Sequence, residues 1–230
     1  MPAGDGVTGA MRCVIEDEQG KKQAAILKTG SLEEIAAEVT ASLLLSGWGL
    51  SVPQPFLVLR GNDLCFASAD VGYPNLKKRL NIEFSAPDVR RAVEVHASKI
   101  VCGFRSTPLA VACDEAIKNC DRNFGNILWD GQEEVWIDHA YSFGVGNRAD
   151  LNKLCMMAIA AGATDEVQRG ALAASMVIDR ELPKEVEECL HGTPVDMPEL
   201  LASVTIKLSN IGASLLARFP QPADLFGQAK

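Results

Sequence analysis

Asp121-Arg122-Asn123-Phe124-Gly125-Asn126 runs into apolar Ile127-Leu128-Trp129 and returns after a turn as Val135-Trp136-Ile137-Asp138-His139. The fold and the chemistry of this chain are both decided in that stretch. Two short strands, predicted at 127–129 and 135–137, carry an acid, an amide and a second acid into one place. Phosphoryl transfer from a magnesium nucleotide calls for such a set: one acid to accept the proton of the incoming hydroxyl, and a carboxylate and an amide oxygen to hold the metal. Spacing alone does not select the motif, because D-x-x-x-x-N also occurs as Asp70 with Asn75 and as Asp114 with Asn119. Asp114 and Asn119 lie in a predicted helix, where an offset of five residues points side chains apart, and the Asp70 pair brackets a Gly-Tyr-Pro turn with no apolar strand after it. Only Asp121 and Asn126 sit on a loop that leads into a hairpin.

In this reading Asp121 orients and deprotonates the acceptor hydroxyl, while Asn126 and Asp138 bind Mg2+. Arg122 has two readings, a brace for the loop or the phosphate, and a solvated surface arginine, which is the commoner state. His139 is read as a packing residue or as a hydrogen-bond support for the metal acid.

Working outward, residues 10 to 28 alternate and are split by Asp17-Glu18-Gln19-Gly20, so a hairpin is predicted whose second strand ends in Lys28. Lys28 shares a strand face with Ala24 and Ile26 and offers a point charge suited to the phosphates of ATP. Ser31-Leu32-Glu33-Glu34 is a capping box, so a helix runs from there to about Ser46 and ends at Gly47-Trp48-Gly49. Glu34 is taken by the cap, which leaves Glu38 as the partner of Lys28. Residues 56–59 and 64–68 read as two more strands around Gly61-Asn62-Asp63. The adenine is expected under Ser68, Ala69 and Asp70, where the last of these strands runs out.

Beyond Tyr73 the pattern is helical. One helix starts at Pro87, with Val89, Val93, His96 and Ile100 on its apolar stripe and His96 expected in the core. Another opens at Thr107-Pro108 and ends near Asn119, and three or four more occupy residues 150 to 218. Lys77-Lys78-Arg79 reads as a solvated helix face, and the three tryptophans as packing residues. The fold class expected is α+β. A small antiparallel sheet with one helix (residues 1–70) forms a nucleotide-binding lobe, and a mainly helical lobe (71–230) carries the catalytic and metal-binding loops.

Composition limits the alternatives. The formal charge of -8 and the pI near 5.0 disfavour extended nucleic acid as a partner. Seven cysteines form no C-x-x-C pair and no signal-like leader is recognisable, which fits the reducing cytoplasm. Apolar runs fall short of the roughly 20 residues that span a bilayer, so no membrane segment is expected. Gly4-Asp5-Gly6-Val7-Thr8-Gly9 matches G-x-G-x-x-G, yet a strand follows it, which excludes a dinucleotide fold. A phosphate lid and a flexible N-terminus both remain open for it.

The block from Asn119 to Leu128, together with Ile137-Asp138-His139, resembles the HipA-like kinases and, more distantly, the phosphatidylinositol kinases and actin-fragmin kinase. Lys28, and Glu38 in a helix closing with Gly49-Leu50-Ser51-Val52-Pro53, are similar to that family's lysine strand and acid-bearing helix. The resemblance covers residues 6 to 140. It implies a two-lobed protein-kinase-like fold, ATP and Mg2+, and transfer to Ser or Thr of a protein, with an antitoxin-like or regulatory partner left open. The family's phosphate loop often contains Ser, which is absent here, and the last ninety residues resemble nothing recognised. Small-molecule phosphotransfer and a catalytically inactive nucleotide-binding partner protein are the alternative readings.

Overall fold

Residues 10–220 are described by a computed structural model of the chain. Alternating side chains and the Asp17–Gly20 turn produce the first hairpin, β1 (Met11–Glu16) with β2 (Lys22–Lys28). The Asp17 carboxylate closes that turn by accepting the backbone N–H groups of Gln19 and Lys21, both at 2.9 Å. After α1 (Leu32–Gly47), strands β3 (Pro55–Arg60) and β4 (Asp63–Ala69) complete an antiparallel sheet of order β1-β2-β4-β3. Lys28 stands opposite Phe66 and Ile26 opposite Ser68, so β4 is the central neighbour of the lysine strand.

The capping box forms as written. Ser31 Oγ accepts the Glu34 N–H at 3.2 Å, and Glu34 Oε2 accepts the Ser31 N–H at 2.8 Å. Ten of the sixteen residues of α1 are buried, more than a single face can supply, so the helix is covered on several sides. It packs on β3 and β4 and also on helices of the second lobe, and its Ile35, Val39, Leu44 and Leu45 belong to the large core of that lobe. The sheet keeps a small cluster of its own, Ala25, Leu27, Cys65 and Ala67.

The helical lobe contains α2 (Leu76–Arg79), α3 (Pro87–Cys102), α4 (Thr107–Ala116), the hairpin β5 (Ile127–Trp129) with β6 (Glu134–Trp136), and then α5 (Lys153–Ala161), α6 (Thr164–Val177), α7 (Leu182–Leu190), α8 (Pro198–Ser209) and α9 (Ile211–Arg218). The architecture is thus α+β and two-lobed. Among the described residues five helices follow residue 150, one more than the highest expectation. The chain from Pro198 to Arg218 bends by 75° at Asn210, between α8 and α9. No single helix among the described residues is long and apolar enough to cross a membrane. All seven cysteines are free thiols.

Two further expectations are corrected. His96 is exposed, as is Val89, because the first half of α3 extends past the body it packs on, and burial begins at Ala97, Ser98 and Val101. The basic cluster on α2 is not simply solvated. Lys77 pairs with Glu83, and the Arg79 guanidinium lies 5.0 Å over the Trp129 ring.

Candidate active site

The loop between α4 and β5 is shaped by asparagines bonding to nearby backbone. α4 ends at Ala116, earlier than expected, and Lys118 then takes a left-handed conformation (φ 52°) that turns the chain back. Asn119 consequently meets Asp114, donating Nδ2 to Asp114 Oδ1 at 3.0 Å, whereas an unbroken helix would have separated them. Asn119 Oδ1 accepts the Asp121 N–H at 3.2 Å. Asn123 bonds to the Asp121 carbonyl and the Gly125 N–H, and a Cβ at Gly125 would lie 2.9 Å from Asn123 Oδ1, so a larger residue there would push the Asn123 side chain aside. Asn126 Nδ2 donates to the Asp121 carbonyl at 3.0 Å. That bond leaves the Asn126 amide oxygen as the atom available to a cation.

Arg122 is fully buried, which settles its two readings in favour of a brace. Its guanidinium forks onto Asp114 through Nε to Oδ2 at 3.0 Å and Nη2 to Oδ1 at 2.8 Å, and donates to the Ile137 carbonyl at 2.8 Å. One side chain thus joins α4, its own loop and the strand leading to Asp138. The planar fork of arginine makes this bidentate contact, which a lysine cannot.

Asp138 follows β6 in a left-handed conformation (φ 66°), an uncommon state for a residue with a side chain and one that clusters at functional sites. Its carboxylate accepts from Lys28 Nζ at 2.9 Å, and the same ammonium also pairs with Glu38. Glu38 Oε2 in turn accepts the His139 N–H at 2.9 Å. Burial opposes the charge of Lys28, but the Glu38 and Asp138 carboxylates outweigh it and hold its pKa above the ordinary lysine value. For Asp138 burial works upward, and Lys28, aided by Arg122, holds the carboxyl below its ordinary value. Burial raises Glu38, against the pull of Lys28. His139 is pushed well down by burial and by the Arg122 and Lys28 cations, so the imidazole is neutral.

Lys28, Glu38, Asp121, Asn126 and Asp138 line one cleft of about 820 Å³ between the sheet and the helical lobe, together with Ser68, Ala69 and Asp70 at the end of β4. Asp70 is fixed there by Arg12 at 3.1 Å and by the Gly72 N–H at 2.9 Å. Across the mouth, Arg148 stacks 4.3 Å over the Tyr141 ring. Sequence reasoning missed Lys153, whose ammonium lies 2.8 Å from Asp121 Oδ1. Nothing local marks that lysine, because it arrives from a helix 32 positions downstream. Gly4 to Gly9 lie outside the described residues.

No family model and no curated protein matches the sequence. Solved structures do match. The proinflammatory kinase CtkA of Helicobacter pylori is similar with a TM-score of 0.57 and 13% identity, over 94% of this chain and 91% of that one. HipA of Shewanella oneidensis, solved with HipB and operator DNA, gives a TM-score of 0.57 and 11% identity over 94% of this chain. The chain has a HipA-like kinase fold. It spans 91% of the CtkA chain and 64% of that HipA chain. The likeness extends past residue 140 and takes in most of the C-terminal helices, where the sequence resembled nothing recognised.

Proposed function

We propose that the chain is an ATP- and Mg2+-dependent kinase of HipA-like type that phosphorylates a Ser or Thr hydroxyl of a protein. The observation that carries this reading is the junction of Lys28, Glu38 and Asp138 facing Asp121 and Asn126 across one cleft. Lys28 would neutralise the phosphates with Glu38 holding it in place, and Ser68, Ala69 and Asp70 would border the adenine. Asp121 would orient the acceptor hydroxyl and take its proton.

Asn126 and Asp138 would hold Mg2+, which supplies charge neutralisation at the phosphate oxygens. The donor set fits that ion. Among the described residues no three His, Cys, Asp or Glu side chains cluster to cage a metal unaided, and Mg2+ is commonly bound by one or two protein oxygens plus phosphate and water. Arg148 lines the cleft and Lys153 pairs with Asp121, so cations stand among the acids of the proposed site. A regulatory partner belongs to the proposal by analogy with HipA and HipB.

Incubation of the purified chain with γ-labelled ATP, Mg2+ and a cell lysate tests the reading. ADP release and protein-bound label that Asp121→Ala abolishes are expected. Absence of Mg2+-dependent ADP release would overturn it.

A further inference from the structure

Lys153 is the first residue of α5, and its ammonium meets Asp121 Oδ1 at 2.8 Å. Partly exposed lysine–carboxylate pairs generally contribute little to stability, but this one is aimed from the core. Asn152, 4% exposed, donates its amide to the Val111 carbonyl of α4 at 3.0 Å. Leu154 and Cys155, each 1% exposed, fix the first turn of α5 against α3 and α4. A cation anchored from the core therefore holds the carboxylate that the kinase reading makes the base.

We propose that Lys153 is a catalytic residue, resting on Asp121 before reaction and passing to the γ-phosphoryl oxygens during transfer. The acceptor oxygen bonds to the γ-phosphorus, the bond from that phosphorus to the β–γ bridging oxygen breaks, ADP departs, and the hydroxyl proton passes to Asp121. Protonation removes the charge that held Lys153 just as negative charge spreads over the equatorial oxygens of the transferring group. A compact ammonium on a flexible stem suits such a handover. The inference rests on the kinase reading and on Asp121 as its base.

The test compares full-length wild type, Lys153→Met and Lys153→Arg. It measures ADP release from Mg·ATP in the presence of the lysate acceptors, and affinity for Mg·ATP and for Mg·ADP with aluminium fluoride, a mimic of the transferring group. Lys153→Met is expected to lower kcat by about 10²-fold or more. Its KM for ATP should move less than about threefold, because the contact is made in the transition state. Aluminium fluoride affinity should fall with kcat, and Lys153→Arg should recover part of the rate. An unchanged kcat in Lys153→Met, or equal loss of Mg·ATP and aluminium fluoride affinity, overturns the role of Lys153 while leaving the kinase reading intact. No ADP release from the wild type overturns the kinase reading and this inference with it.

Discussion

The Lys28 ammonium lies 2.9 Å from the Asp138 carboxylate although the two residues are 110 positions apart in the chain. Glu38 reaches the same ammonium from α1, so the sheet, the helix behind it and the loop after β6 meet at one partly buried point.

Two acids in this cleft should separate binding from chemistry. With Asp138→Ala, the Mg2+-dependent thermal stabilisation by ATP is expected to vanish, against about 2.7 kcal/mol for the wild type at a ligand concentration of 100 Kd. With Asp121→Ala the same stabilisation should persist while ADP release falls by about 10²- to 10⁴-fold. Thermal shift and ADP release on both variants check this, and the assignment fails if their phenotypes are exchanged.

Arg122 and Asp114 are both completely buried. Arg122→Met leaves the Asp114 carboxylate without its main partner in the interior, and breaking a buried pair in this way costs about 3–5 kcal/mol. Asp114→Asn added to Arg122→Met should recover part of that loss, because no uncompensated charge then remains. Urea unfolding of the single and double variants provides the measurement.

His139 predicts a pH dependence of folding. Burial, with Arg122 and Lys28 beside it, holds the imidazole well below 6.5. Above pH 6.5 the ring is neutral in both folded and unfolded chains. As the pH falls below 6.5 the unfolded chain gains a proton that the folded chain refuses, so stability is lost at up to about 1.4 kcal/mol per pH unit. Asp138 has its folded pKa depressed, so its contribution persists above the ordinary carboxylate value and is lost only below about pH 4. Glu38, raised by burial, acts in the opposite sense, so the readout is a difference. Denaturation at pH 7, 6 and 5 should show a shallower acid loss in His139→Gln than in the wild type.

Gly170 on α6 faces Pro108 on α4, and a Cβ there would lie 2.9 Å from both Cβ and Cγ of the proline ring. Alanine in place of a helical glycine ordinarily stabilises by about 1 kcal/mol. At this crossing the rigid ring cannot yield, and overpacking of this kind costs about 1–3 kcal/mol. Gly170→Ala is expected to lower the melting temperature, and a rise would contradict the crossing.

The sheet, α1 and the Asp121–Asn126 loop are legible in the sequence because their determinants are local. Alternation, a capping box and asparagines that bond two or five residues away all act within a short window. Lys28, Glu38, Asp121, Asn126 and Asp138 could be chosen in that way, and they do line one cleft. What escaped depends on distant packing. The depth of Arg122 requires Asp114, which becomes available only because α4 stops at Ala116. The arrival of Lys153 requires Asn152 to be anchored to Val111. His96 was misplaced because helical periodicity identifies a face but not how far along the helix a neighbour reaches.

Adjacent acids on α4 point in different directions, about 100° apart on a helix. Asp114 grips the loop, while Glu115, 3% exposed, is held by Arg218 of α9 at 2.9 Å. During synthesis a chain that has emerged only as far as His139 already holds Glu38, Asp121 and Asp138, yet buried Glu115 has no Arg218 to neutralise it. Neutralising that buried acid waits for residue 218, so a product truncated before α9 should fold less stably than the full chain.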